Sequence, residues 1–283
     1  MPGNDYRIRN LRREEMPLLL DWAAAEGWNP GLHDGPCFHR ADPAGFLLGL
    51  LGGEPAASIS VVRYGSDFGF LGFYLVRPPL RGRGLGRRIW EAGLAQLTGR
   101  VVGLDGVVAQ QGNYRKSGFA LAWQNIRHEG VGGGSSEPDK RVVALSTLPF
   151  ESVLAYDQVF FPAGRSAFLR CWIAQPDSAS LAYVHAGRIR GYGMIRRCRT
   201  GCKIGPLFAD RAAIAETLFA ALKSHSAPTD KVYLDTPASN PGAIALARRH
   251  GMNPMFETAR MYAGPAPALP LQRLYGVTSF ELG

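Results

Sequence analysis

The apolar residues in the first half of the chain recur at strand spacing in some segments and at helix spacing in others. Residues 13–26 place apolar side chains three and four positions apart, which predicts a helix. Residues 28–36 have the composition of a loop, and Asp42 followed by Pro43 is typical of a helix start. The predicted strands span residues 6–10, 46–51, 57–64, 68–76, 101–105 and 120–129. A further helix is predicted at residues 85–97, and a short turn or helix at residues 113–116.

The second half of the chain repeats this order of elements. Asp105 and Asp235 lie in similar contexts 130 residues apart, and Arg127 and Arg260 lie in similar contexts 133 residues apart. Similar offsets at separate points indicate a divergent duplication. The predicted strands span residues 142–145, 181–185, 189–197, 203–208, 231–235, 255–262 and 274–282, and the predicted helices span residues 149–160, 165–173, 212–222 and 240–250.

The chain length and a glycine-rich stretch predict two domains. A chain of 283 residues is long enough for about two domains. Residues 131–140 are rich in Gly and Ser and have the composition of a flexible linker. We therefore expect one domain at residues 1–130 and another at residues 141–283.

The segment at residues 75–90 passes from a strand, through a double proline and a basic glycine-rich turn, into a helix. A helix start leaves backbone N–H groups free and carries the positive end of the helix dipole. Gly82, Gly84 and Gly86 allow a ligand to approach the backbone closely. The turn therefore predicts a site for a diphosphate. It is not a P-loop, because no Lys-Ser/Thr pair follows it.

Two motifs point to a known family. Val76-x-Pro78 followed by Arg81-x-x-Gly84-x-Gly86 resembles the coenzyme A pyrophosphate loop of the GNAT acetyltransferase superfamily. The segment Tyr-x-Lys-x-Gly-Phe at residues 114–119 is similar to the signature that follows the fifth strand in that family. The resemblance covers residues 6–130 and, through the repeat, the second half. It implies an α/β (α+β) protein of two tandem GNAT folds, each a mixed, mostly antiparallel sheet flanked by helices.

The resemblance also implies an activity and a cosubstrate. We expect transfer of an acetyl group from acetyl-coenzyme A to a primary amine by direct attack in a ternary complex. The resemblance assigns cofactor binding to the backbone of residues 74–76 and to the turn at residues 81–87. It assigns the orientation of the pantetheine to the side-chain amide of Asn113. These residues are Tyr74, Leu75, Val76, Arg81, Gly82, Arg83, Gly84, Leu85, Gly86, Arg87 and Asn113.

The resemblance implies that the fourth strand separates from the fifth and that the pantetheine lies in the gap between them. We expect the catalytic and acceptor-binding residues around this gap. Tyr114 is the candidate general acid for the leaving thiolate, because a phenol with a pKa near 10 stays protonated at neutral pH; it could also be a core tyrosine. Residues 68–76 hold no carboxylate, so Asp105 is the first candidate for the general base, although its counterpart in the second half suggests that it could instead cap a turn. Trp28, His33 and Asp34 are candidates for binding the acceptor, or are ordinary loop residues.

The second copy lacks the groups that this chemistry needs. Residues 208–211 read Phe-Ala-Asp-Arg where the first copy has its glycine-rich turn, and the negative charge of Asp210 is wrong for a diphosphate. Ala247 stands four residues before Gly251, where the first copy has Tyr114 before Gly118. We expect one working domain and one degenerate domain that shapes the acceptor site.

Charge and composition argue against several other classes of protein. The net charge of +9 admits a nucleic-acid-binding module, but the basic run carries no stacking aromatics, so we expect no nucleic acid partner. No apolar run reaches about 18 residues and the chain start has no signal-peptide layout, so we expect no membrane contact and a cytoplasmic location. Four cysteines predict neither a disulfide framework nor a metal site.

The expected partner is a small-molecule amine, and the expected assembly is a monomer or a homodimer. The alternative function is a non-catalytic acyl-coenzyme A sensor, and a longer acyl donor stays open. The acceptor could be a polyamine, an amino sugar, an amino acid, an antibiotic or a protein amine.

Overall fold

A computed structural model describes residues 5–134 and 139–283. The strands of this part are β1 (Tyr6–Asn10), β2 (Phe46–Leu51), β3 (Glu54–Tyr64), β4 (Phe68–Val76), β5 (Val101–Val107), β6 (Phe119–Val131), β7 (Val142–Ala144), β8 (Ser178–His185), β9 (Arg188–Arg197), β10 (Cys202–Ala209), β11 (Lys231–Pro237), β12 (Asn253–Ala263) and β13 (Leu274–Gly276). The helices are α1 (Met16–Ala25), α2 (Asp34–Ala41), α3 (Leu85–Gln96), α4 (Gln111–Lys116), α5 (Phe150–Asp157), α6 (Ser166–Trp172), α7 (Ala212–Lys223) and α8 (Pro241–Arg249).

The strands of both halves join into one sheet by exchanging their sixth strands. The order is β1-β2-β3-β4-β5-β12-β6-β11-β10-β9-β8-β7, so β12 pairs with β5 of the first half and β6 pairs with β11 of the second. The pairs β4–β5 and β10–β11 are parallel, and the other pairs are antiparallel. The expected α/β class with two mostly antiparallel GNAT sheets is confirmed, and the exchange adds that the two sheets are continuous.

Helices cover both faces of the first-half sheet. One apolar cluster joins α1 and α2 to Phe70 and Phe73 of β4. Another joins Ile89 and Trp90 of α3 to Leu71 of β4. Phe70 and Leu71 thus point to opposite faces, as the alternation of a strand requires. The first-half sheet therefore carries one apolar cluster on each face.

Four local predictions differ from the structure. The segment at residues 28–36 is a loop only as far as residue 33, because α2 begins at Asp34. The helix expected after Asp42 is wrong, because α2 ends before Asp42, whose carboxylate accepts bonds from the backbone N–H groups of Ala44 and Arg63. The final strand is shorter than expected: only Leu274–Gly276 is extended, and it pairs with β10. The linker begins later, since Gly132 N–H donates to the Asp230 carbonyl at 2.7 Å; residues 135–138 of the linker lie outside the described part.

A disulfide joins the two halves where α2 packs on α6. Cys37 and Cys171 are bonded with their Cα atoms 5.2 Å apart. They are 134 residues apart, which is close to the offset of the repeat, so they occupy equivalent positions in the two copies. The expectation of no disulfide framework therefore missed one cross-link, while Cys198 and Cys202 are free and buried.

Candidate active site

A gap between β4 and β5 forms the centre of the site. The two strands pair from Phe68 with Val101 to Leu71 with Leu104, and they separate beyond that point. A cavity of about 550 Å³ follows the gap. Its walls are the β4 and β5 backbone, the glycine-rich turn, Trp28 of the α1–α2 loop, and residues from β12 and the C-terminal segment.

A bulge in β4 exposes backbone groups to this cavity. Ser60 pairs with Gly72 and Ser58 pairs with Leu75, so β4 carries one extra residue between them. Phe73 takes a φ of 44°, a left-handed conformation that is strained for an aromatic residue, and Ser58 Oγ holds its carbonyl at 2.8 Å. Because β4 leaves β5 after Leu71, the edge of β4 that faces the gap is free to bond a ligand.

The glycine-rich turn fits a diphosphate. Gly82 and Gly84 have φ values of 76° and 78°, which other residues rarely adopt. The first bonded N–H of α3 belongs to Arg88, which donates to the Gly84 carbonyl at 3.3 Å, so the N–H groups before it remain available. Two arginines of the turn, Arg81 and Arg87, line the cavity beside these N–H groups.

Arg81 also closes one side of the cavity. Its Nε donates to the Val76 carbonyl at 3.0 Å, and its guanidinium contacts the carboxylate of Glu26 at the end of α1. The turn is therefore held to both β4 and α1. A bound anion would find this arginine already placed at the cavity wall.

Tyr114 lies on the α3 side of the gap. Its ring stacks on Trp90 with centroids 5.5 Å apart, and it lies so close to Gly106 of β5 that a Cβ there would clash with it. Burial raises the pKa of Tyr114 to about 12, and the nearby Tyr74 adds to the rise. The phenol therefore stays protonated at neutral pH, as a proton donor requires.

Asp105 lines the cavity, but its oxygens are occupied. Arg260 of β12 donates to both oxygens, at 2.8 and 2.6 Å, and Asn125 donates a third bond at 2.8 Å. Burial raises the pKa of the Asp105 carboxyl, while the guanidinium of Arg260 opposes that rise. This arrangement favours a structural role for Asp105 over the expected role of general base.

The structure separates the other predicted residues into two groups. Most of the predicted cofactor-binding residues line the cavity, together with Trp28; they are Tyr74, Leu75, Val76, Arg81, Gly82, Gly84, Leu85, Gly86 and Arg87. Arg83 and Asn113 are exposed and lie outside the lining. His33 pairs with Asp177, and buried Asp34 pairs with Arg196 and accepts from Gly31 N–H, so both hold the chain in place and neither lines the cavity.

The second half contributes cavity residues that the sequence did not indicate. Phe256 and Thr258 come from the exchanged strand β12, and Phe280 and Glu281 come from residues 277–283. This terminal segment reaches the first half, where Tyr64 Oη donates to the Leu282 carbonyl at 3.1 Å. No local motif marks these residues, because their place depends on the strand exchange and on the path of the tail.

The equivalent gap in the second half is filled by its own chain. β10 pairs with β11 only from Cys202 to Ile204, and β13 then pairs with β10 at Leu207 and Phe208. The Val277 N–H donates to the Asp235 carbonyl at 2.9 Å, so this segment bridges the two strands. The space that the first copy leaves open is occupied here by backbone.

Fourth and fifth strands that separate beside a glycine-rich helix start are the architecture of a GNAT acyltransferase. Residues 6–119 match the acetyltransferase (GNAT) family, and residues 153–276 match an acetyltransferase (GNAT) domain. The chain belongs to the GNAT family, with two GNAT domains in tandem, and it is an acyltransferase. Among the described residues, no cluster of three or more metal-ligating side chains occurs, and no helix is long and apolar enough to cross a membrane.

Particular relatives span nearly the whole chain. The holothin acyltransferase of Pseudoalteromonas sp. (strain SANK 73390) is 32% identical over 270 residues, covering 95% of this chain and 92% of the relative. A candidate acetyltransferase from Pyrococcus horikoshii is 19% identical, with a TM-score of 0.84 and coverage of 99% and 97%. A tandem GNAT protein from the clavulanic acid biosynthesis pathway is 16% identical, with a TM-score of 0.65 and coverage of 93% and 100%. The two structures support the fold alone.

Proposed function

We propose that the first half transfers an acetyl group from acetyl-coenzyme A to the amine of a small molecule, and that the second half binds no coenzyme. The observation that carries the proposal is the cavity in the β4–β5 gap, which joins the turn at residues 81–87 to Tyr114 and to the residues from the second half. The coenzyme supplies an acyl thioester. The residues around it hold that group and manage the protons.

The chain's own groups account for each requirement of acyl transfer. The N–H groups at the start of α3, with Arg81 and Arg87, hold the diphosphate, and the free edge of β4 holds the pantetheine. The bulge at Phe73 presents backbone donors toward the acyl oxygen. Tyr114 gives its phenolic proton to the sulfur as the amine replaces it.

We assign the acceptor to the part of the cavity that is lined by Trp28, Phe256 and Phe280. These aromatic walls favour an amine with a flat or apolar body. Arg127 lies over the Phe256 and Phe280 rings, at 5.8 and 5.0 Å from their centroids, and it pairs with Asp235. A phosphate or carboxylate on the acceptor would meet mostly aromatic surface there.

An amine panel with acetyl-coenzyme A tests the proposal through release of free thiol. The panel contains benzylamine, aniline, spermidine, glucosamine, lysine and holothin, which the 32% identical relative is named for. We expect turnover with aromatic amines above that with lysine, and acetyl-coenzyme A favoured over longer acyl donors. Coenzyme binding without thiol release for any amine would instead indicate a non-catalytic acyl-coenzyme A sensor.

A further inference from the structure

Three carboxylates line the cavity among the described residues, and two of them already form ion pairs with arginines. They are Glu26, Asp105 and Glu281. Glu26 contacts Arg81, and Asp105 is held by Arg260 and Asn125. In the part of the chain that the structure describes, Glu281 belongs to no ion pair, although only 3% of the residue is exposed.

Glu281 reaches the gap from the face opposite to Tyr114. The backbone carbonyl of Glu281 packs against Gly72 so closely that a Cβ at Gly72 would clash with it. The next residue, Leu282, packs in the apolar cluster of α1 and α2, whereas Tyr114 packs in the cluster of α3. Gly72 is the first residue of β4 after the strands separate, so the backbone of Glu281 lies at the apex of the gap, and the residue is part of the cavity lining.

Nearby cations do not satisfy this carboxylate. Arg127 and Arg196 have their own partners in Asp235 and Asp34. The buried ammonium of Lys203 donates to backbone carbonyls of the α1–α2 loop, including that of Asn29 at 2.9 Å. Burial lowers the pKa of Arg127 and Arg196, their aspartate partners raise it above its usual value, and the charge of Glu281 adds a smaller rise. The charge of Glu281 also opposes the fall that burial causes in the pKa of Lys203, and Glu281 forms an ion pair with none of these three cations.

We propose that Glu281 is a catalytic residue of the first half, supplied by the second half: its carboxylate receives the acceptor amine and takes the proton that the amine loses on acylation. This inference rests on the proposed function, which by itself assigns no general base, and Glu281 fills that role. The acid and the base then lie on opposite faces of one sheet, with the reacting groups in the gap between them.

Every proton and every bond of this step is accounted for. The nitrogen forms a bond to the acyl carbon, the carbon–sulfur bond breaks, and the nitrogen's extra proton passes to the Glu281 carboxylate. Tyr114 gives its phenolic proton to the departing sulfur. The protonated Glu281 then loses its proton to water and the phenolate of Tyr114 regains one from water, so both residues return to their starting forms.

The variant Glu281→Gln tests this role with the best amine of the panel. Neutral amides do not accept a proton, so we expect kcat to fall by about 100-fold or more, within the usual range for a lost general base. The affinity for acetyl-coenzyme A, measured by calorimetry, should stay within about twofold. The matched control is Glu257→Gln, which removes an exposed carboxylate of β12 and should keep the wild-type rate.

A chemical rescue separates catalysis from a structural role. Glu281→Ala leaves space for formate, and rising formate concentration should restore thiol release in that variant but not in Tyr114→Phe. If Glu281 only balances buried cations, both Glu281 variants will melt at lower temperature, their folded fraction will turn over at the wild-type rate, and formate will have no effect. That result overturns the inference and leaves the proposed function standing. A wild-type protein that binds acetyl-coenzyme A and releases no thiol with any amine of the panel overturns both.

Discussion

Arg260 of β12 donates two hydrogen bonds to Asp105 of β5, and the pair lies buried between the two halves of the molecule. The equivalent pair of the other copy, Arg127 and Asp235, has the same two-bond geometry at 2.7 and 2.7 Å. Each arginine stands on a strand that has crossed to the other half. The two ion pairs therefore bind the halves reciprocally, and an arginine contributed by one copy always meets an aspartate of the other.

Asp105→Asn is expected to destabilise the protein rather than to remove a catalytic base. Loss of one partner leaves a buried guanidinium without its countercharge, at a cost of about 3–5 kcal/mol. Urea unfolding of the variant should show this loss. The double variant Asp105→Asn with Arg260→Met should lose less than the sum of the single variants, because it removes both charges.

The kinetics of the folded Asp105 variant complete this test. At a temperature where Asp105→Asn is fully folded, kcat should lie within a few-fold of the wild-type value. A loss of 100-fold or more with unchanged stability would return Asp105 to the role of base.

Tyr114→Phe is expected to lower kcat by about 100-fold and to leave acetyl-coenzyme A binding nearly unchanged, because the ring and its stacking on Trp90 remain. The pKa of Tyr114 is raised to about 12, so the phenol keeps its proton throughout the ordinary assay range. Its ionisation should therefore cause no fall in rate between about pH 7 and pH 10. A rate profile over that range, with matched thiol-release assays of both proteins, measures the two effects.

Gly106→Ala tests whether turnover depends on the position of the Tyr114 hydroxyl. The added Cβ would clash with the ring of Tyr114 and push it from its place while keeping its hydroxyl. We expect a loss of kcat comparable to that of Tyr114→Phe. A Gly106→Ala protein with the wild-type rate would show that the position of the phenol does not matter for turnover.

The sequence could predict the cavity residues of the first half far better than those that the second half contributes. The residues from Arg81 to Arg87 and Tyr114 belong to local motifs, so their spacing along the chain was enough to predict them as site residues. The partner of Asp105 and the position of Glu281 arise from the strand exchange and from the path of residues 277–283, which depend on long-range pairing between the two halves. The error at Asp42 is local, since its carboxylate caps a turn instead of beginning a helix.

One coenzyme molecule per chain is expected, because β13 fills the gap between β10 and β11. Titration calorimetry with coenzyme A should give a stoichiometry near one. Changing Arg81 and Arg87 together to alanine should weaken binding by about tenfold or more and reduce its dependence on salt. The same change at Arg190 and Arg211, beside the start of α7, is the matched control and should have no effect. A stoichiometry of two would show that the second copy also binds.

The disulfide between Cys37 and Cys171 predicts a thiol count and a stability change. The unfolded, unreduced protein should react as two thiols, from Cys198 and Cys202, and the reduced protein should react as four. The cross-link closes a loop of 134 residues, so its removal should lower the free energy of unfolding by about 2–4 kcal/mol. Cys37→Ser with Cys171→Ser, compared by urea unfolding with Cys198→Ser as the control, measures that change. Four reactive thiols before reduction would show that Cys37 and Cys171 are not bonded, and the double variant would then lose only the packing of two buried side chains.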